Sequence, residues 1–215
     1  MVLEPTVDLA FPITPGVVPI DHGYALYSAL ARVVPELHGA DWLSVHPLTG
    51  KATGTDSLKL NRGTQLILRV PVERIPTALR LSGRSIQFDS HGFTLGTPVI
   101  RALEPSPTLF TWRVAIRLTN PPKNADGRLN LTAFRDVFKA EAERQLSANA
   151  INGRLQVLDK KDLHIKNQRI VAFSVQVDGL NPEASLVLQT IGLGGKRRMG
   201  CGVFRPVRVT HPQAD

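Results

Sequence analysis

Apolar positions along this chain switch between alternating and helical spacing, and each switch marks an element. Alternation over residues 7–13 predicts a first strand, closed by the turn signal Thr14-Pro15-Gly16. Leu26, Leu30, Val33 and Leu37 then recur at helical spacing. A helix is therefore expected from Asp21, a suitable N-cap, to about Val34, where Pro35 disfavours the α region. Residues 42–46 and 64–70 read as strands on either side of a Gly- and Thr-rich hairpin region. A short helix with Pro76 near its first turn follows and ends before Gly83. Residues 85–88 and 92–95 are short strands split by Asp89-Ser90-His91.

The second half repeats this order. Residues 97–103 and 109–118 read as strands, the latter alternating Trp112, Val114, Ile116 and Leu118. The turn-rich Asn120-Pro121-Pro122-Lys123-Asn124 leads into a helix over 132–146, with Phe134, Val137, Phe138, Ala142 and Leu146 on one side. Strands at 154–158 and 170–177 come next. Asn181 caps and Pro182 opens a helix to about Thr190, followed by a glycine-rich loop and a final strand at 203–209. The order β-α-β-β-α-β is thus written about twice. It predicts an α+β protein of two tandem ferredoxin-like (RRM-like) units, residues 1–96 and 97–215. RNA-recognition modules use this order, but the superfold hosts many unrelated activities, so topology alone gives no function.

Composition narrows the classes. A chain of 215 residues can form one large domain or two small ones. No apolar stretch approaches the length that spans a bilayer, and the N-terminus MVLEPTVDLAF lacks the features of a secretory signal, so no membrane partner is expected. The one cysteine, Cys201, excludes an internal disulfide framework and a multi-cysteine zinc site, and a reducing cytoplasm is the expected compartment. Lys and Arg number 26 against 18 Asp and Glu, a net charge of +8 that favours polyanionic partners. Lys196, Arg197, Arg198, Arg205 and Arg208 cluster near the C-terminus with no acidic residue among them.

That cluster overlaps the most specific segment, Gly192-Leu193-Gly194-Gly195-Lys196-Arg197-Arg198-Met199-Gly200-Cys201-Gly202. Repeated Gly permits positive φ and lets a phosphate approach the backbone, and three adjacent cations supply charge. A glycine-rich turn with solvated charges is the plain alternative. A P-loop or dinucleotide fingerprint does not fit, because the loop follows a helix, precedes a strand and lacks GK[ST]. The spacing G-Φ-G, five residues, G-Φ-G resembles the C-terminal signature of the repeat-associated mysterious proteins (RAMPs). Within that superfamily the chain is most similar to the CRISPR-associated precursor-RNA endoribonucleases of Cas-six type. The loop matches at Gly192, Gly194, Gly200 and Gly202. The helix opening Asp21-His22-Gly23-Tyr24-Ala25-Leu26-Tyr27-Ser28-Ala29-Leu30 and the tandem layout also match.

The resemblance implies cleavage of CRISPR repeat RNA hairpins (precursor crRNA) with no cofactor and no metal, giving 2′,3′-cyclic phosphate and 5′-hydroxyl ends. It assigns RNA binding to Gly192, Gly194, Gly195, Lys196, Arg197, Arg198, Gly200 and Gly202 of the second unit, and a catalytic histidine to the first. Other subunits of a multi-protein CRISPR effector complex are compatible partners. A non-catalytic RAMP-type RNA-binding subunit of such a complex is the first alternative, and a small-molecule enzyme on a ferredoxin-like scaffold the second.

Attack of a ribose 2′-OH on its own phosphate needs a base, a cation for the developing charge and an acid for the leaving 5′-oxygen. Histidine suits proton transfer at neutral pH. His22 stands at the start of the first helix, whose N-terminus would keep its imidazole neutral. His38 follows that helix, a placement shared with many members of the resembled family. Others carry the histidine inside the helix three residues after a tyrosine, where Tyr27 follows Tyr24 here. His38, His22 and, third, His46 are therefore the candidate bases. Tyr24 and Tyr27 are candidates for positioning RNA, with core packing the expected role of at least one. His91, His164 and His211 fall in expected turns or at the terminus. Acidic residues (Asp89, Glu141, Glu143, Asp159, Asp162) are scattered and form no metal-ligand motif.

Overall fold

The computed structural model describes residues 4–88, 90–165 and 168–207. Strand β1 (Thr6–Pro12) leads through β2 (Gly16–Pro19) into helix α1 (Gly23–Val33), a 3₁₀ turn at Pro35–Leu37 and β3 (Ser44–Val45). A hairpin, β4 (Lys51–Thr53) and β5 (Ser57–Leu60), precedes β6 (Gln65–Pro71) and α2 (Ile75–Leu79). Strands β7 (Ser85–Phe88), β8 (His91–Thr94) and β9 (Val99–Ala102) follow. The first four-stranded sheet runs β3-β6-β1-β9, antiparallel throughout. With the strands numbered within the βαββαβ unit, that is the order 2-3-1-4 of a ferredoxin-like unit. The strands β2-β5-β4 and the hairpin β7-β8 are additions to it.

The second sheet repeats the permutation. Its strands are β10 (Thr108–Val114), β11 (Arg154–Ile165), β12 (Gln168–Asp178) and β13 (Arg205–Pro206), in the order β11-β12-β10-β13. Its helices are α3 (Leu131–Ala148) and α4 (Pro182–Ile191). Asn130 and Asn181 cap them by accepting from Ala133 N at 3.1 Å and Ala184 N at 2.7 Å. Each unit has its own core: Leu9, Phe11, Leu26, Leu30, Leu66 and Leu68 in the first, and Phe138, Phe173, Val175, Leu188 and Phe204 in the second.

Several expected elements are corrected. The strand expected to open the second half is β9, which pairs with β1 and completes the first sheet. Alternation shows that a segment is a strand but not which edge it joins. Asp21 is not the cap of α1: His22 holds that position without a side-chain cap bond. The Asp21 carboxylate instead accepts from His164 N at 2.6 Å and faces Arg113 at 3.5 Å, partners more than ninety residues away in sequence. The alternation of Trp112 and Val114 is broken by a register shift in β10, so Val114 is buried and Trp112 is not. Val137 lies off the buried stripe of α3. Asp89, Arg208, His211 and the end of the expected final strand lie outside the described residues.

A buried arginine is central to how the units are tied together. Arg69 of β6 grips the Asp8 carboxylate with Nε at 2.8 Å and Nη2 at 2.9 Å. Its Nη1 donates to the carbonyls of Gln189 (2.7 Å) and Phe204 (2.8 Å) in the second unit. A buried guanidinium satisfied on both sides holds the two units in one orientation.

Candidate active site and glycine-rich loop

The three candidate bases occupy different environments. His22 is 1% exposed and both ring nitrogens are engaged: Nδ1 lies 2.8 Å from the Pro19 carbonyl, and Nε2 accepts from Leu48 N at 3.0 Å. Burial, then the nearby Arg113 cation, lowers its pKa to about 4, so the ring is neutral and donates through Nδ1. His46 is also buried. Its Nε2 sits 3.7 Å from Asp8 Oδ1 with no hydrogen-bond partner, and burial lowers its pKa. His38, just past the 3₁₀ turn, is exposed, its backbone N–H bonded to Pro35 O at 2.9 Å. Of the three, only His38 presents its imidazole to solvent.

Tyr27 fixes the peptide around His38. Its ring is buried, 6% exposed, and its hydroxyl donates to Leu37 O at 3.4 Å while accepting from Gly39 N at 2.9 Å. The two residues flanking His38 are thus bonded to one phenol. Helical spacing and the neighbouring Tyr24 gave no sign of this, because the clamp forms only when the chain doubles back at Pro35. Tyr24 is half-buried on the preceding turn of α1.

The glycine-rich loop packs against the same helix. Gly192, Gly194, Gly200 and Gly202 all have positive φ, and so does Lys196. A Cβ on Gly202 would lie 2.0 Å from Leu193 O, and one on Gly23 would lie 2.3 Å from Met199 O. The glycines are therefore needed for the loop to close on itself and to sit on the first turn of α1. Most loop amides are engaged inside the protein. Gly194 N donates to Gln145 Oε1 at 3.0 Å, Gly195 N to Ala115 O at 2.9 Å and Gly202 N to Arg113 O at 2.6 Å.

The three cations are not equivalent. Lys196 is exposed. Arg197 is half-buried and donates to Asp41 O at 2.6 Å and Thr190 O at 3.3 Å, tying the loop to both units. Arg198 lies over the Tyr27 ring, 5.4 Å from its centroid, with Nη1 buried and unpaired near Gly39. An exposed imidazole, a buried phenol and a guanidinium thus come together from a turn, a helix and a loop. Such a set can move a proton and bind an anion. Among the described residues no three His, Cys, Asp or Glu side chains gather as metal ligands would, and no helix is long and apolar enough to cross a membrane.

Two ferredoxin-like units thus stand in tandem, with the glycine loop of the second seated on the first helix of the first. The solved structures reflect this. One named "CRISPR associated protein Cas6" aligns with a TM-score of 0.64 at 16% identity, covering 94% of this chain and 100% of its own. Another, described as an RAMP protein binding different RNA substrates, aligns at 0.63 and 12% identity over 94% of this chain and 100% of its own. The chain belongs to the Cas6 family of CRISPR proteins, whose family model matches residues 7–209. A Myxococcus xanthus relative, "CRISPR-associated endonuclease Cas6", is 37% identical over 200 residues, covering 93% of this chain and 81% of the relative.

Proposed function

We propose that this chain binds CRISPR repeat RNA hairpins and cuts precursor crRNA without a metal, with His38 as the general base. The observation that carries this reading is the exposed His38 imidazole held between two peptide groups that the Tyr27 hydroxyl fixes, with Arg198 on the same phenol ring. His38 takes the proton from the ribose 2′-hydroxyl, and the 2′-oxygen bonds to the adjacent phosphorus. The bond from phosphorus to the 5′-oxygen then breaks, and the leaving oxygen takes up a proton. Products are a 2′,3′-cyclic phosphate and a 5′-hydroxyl. Arg198, on the ring of Tyr27, is the loop cation that offsets the charge gathering on the phosphate. Lys196 and the basic surface around the loop attract the RNA backbone. His22 and His46, closed off from solvent, serve the fold. Association with other subunits of a CRISPR effector complex belongs to this reading.

Single-turnover cleavage of a repeat hairpin in excess EDTA tests it. Wild-type protein cuts, His38→Ala slows about a hundredfold or more with unchanged affinity, and a 2′-deoxy residue before the scissile phosphate blocks cleavage but not binding. Cleavage of the deoxy substrate at the normal rate would refute internal attack. A fully active His38→Ala variant would remove His38 from the chemistry, and binding without any cleavage would leave a non-catalytic RNA-binding subunit.

A further inference from the structure

Beyond the cutting site, the two units enclose a cleft of about 340 Å³ beside His22. Its first-unit wall sets Ile20, Leu48 and Leu58 beside Asp21 and His22, and the second unit contributes Trp112 together with Arg113, Lys161 and Asp162. Trp112 is 41% exposed, large for an indole in a chain with two tryptophans. The register shift in β10 turns it out of the alternation and towards this cleft. The ring does not swing freely: Phe110 meets it edge-on at 5.0 Å and 86°, and the Arg205 guanidinium lies 5.6 Å from its centroid. A rigid aromatic surface opposite aliphatic side chains suits the face of a flat heterocycle.

From this arrangement we infer that the cleft binds an unpaired nucleobase of the substrate RNA, stacked against Trp112, from the single strand adjoining the hairpin. The inference rests on the proposed RNA-binding function. A paired base could not enter, because its faces are covered by its neighbours in the duplex, whereas unpaired bases stack on protein aromatics in single-strand recognition. The cleft lies close to the cutting site. His22, in its wall, precedes Tyr27 by five residues, about 7–8 Å along a helix axis. An RNA strand leaving His38 along α1 therefore reaches Trp112 within a few nucleotides. The indole, not a phosphate clamp, governs the interaction, since Arg113 already faces Asp21 at 3.5 Å and Lys161 faces Asp159 at 3.5 Å.

The test uses full-length protein carrying Trp42→Phe, so that Trp112 is the one fluorophore, and His38→Ala, so that RNA stays intact. Affinity is followed in parallel by polarisation of labelled RNA. Hairpin RNA with its single-stranded flank should quench Trp112 emission, and the hairpin alone should bind without quenching. Trp112→Ala should weaken the flanked RNA roughly ten- to a hundredfold and leave the bare hairpin unchanged, while Trp112→Phe retains most of the affinity. An abasic flank on protein with Trp112 intact should reproduce the loss, which keeps the test valid if Trp112→Ala misfolds. Flanked RNA that binds without quenching overturns the cleft assignment and leaves the cleavage reading standing. Saturable quenching by a free mononucleotide at micromolar concentration also overturns it, in favour of a small-molecule site. Failure to bind any repeat RNA refutes the proposed function itself.

Discussion

Replacing His22 with alanine separates a structural histidine from a catalytic one, and its size can be worked out from the contacts. The substitution removes the acceptor of Leu48 N and the donor to Pro19 O, both in a buried setting. Each unpaired group costs about 1–3 kcal/mol, so a destabilisation of about 2–6 kcal/mol at pH 7.5 is expected. The pH dependence gives a second signature. Burial lowers the His22 pKa to about 4, against 6.5 for the free group. A depressed histidine contributes stability that is fully present above 6.5 and is lost as pH falls towards 4, because the unfolded chain takes up the proton first. The window of 2.5 pH units corresponds to about 3 kcal/mol in total, of which about 2 kcal/mol is gone by pH 5. Urea unfolding of wild type and His22→Ala from pH 7.5 to pH 5 should show a stability gap that narrows by about that amount. Comparing the two proteins cancels the contributions of His46 and Asp8, whose pKa values are also depressed. A constant gap across this range would show that His22 does not act as a neutral buried link. Loss of cleavage at unchanged stability would make it a catalytic residue after all.

The interdomain grip of Arg69 is as open to test. Arg69→Ala strands the Asp8 carboxylate, which is held well below the usual range by His46 and Arg69 against the opposing effect of burial. The variant should lose about 3–5 kcal/mol in urea unfolding, and a loss under 1 kcal/mol would mean the units do not rely on this link. The loop cations should divide by role. Lys196→Ala should leave the melting temperature unchanged and flatten the log-affinity versus log-salt slope by about one. Arg197→Ala should instead cost about 1–3 kcal/mol of stability through Asp41 O and Thr190 O. Equal salt effects from both substitutions would return Arg197 to the RNA-facing surface.

What the sequence determined by itself was the repeated element order, the Asn181 cap of the last helix, the signature glycines and the position of His38 after the first helix. These are local: they follow from the period of apolar residues, the side chain preceding a helix and the φ values that only Gly adopts easily. Tertiary structure decided the rest. It placed β9 in the first sheet, since strand pairing is a choice among distant edges. It turned Asp21 from a cap into an interdomain acceptor, because Arg113 and the amide of His164 compete for the carboxylate once the units dock. It buried His22 and His46 and left His38 outside, a distinction absent from residue type and spacing. It also sorted three adjacent cations into one exposed side chain, one tether and one partner of Tyr27, because a tight loop points successive side chains in different directions. Residue chemistry can be read along the chain, but solvent access and bonding partners are set by segments that meet only on folding.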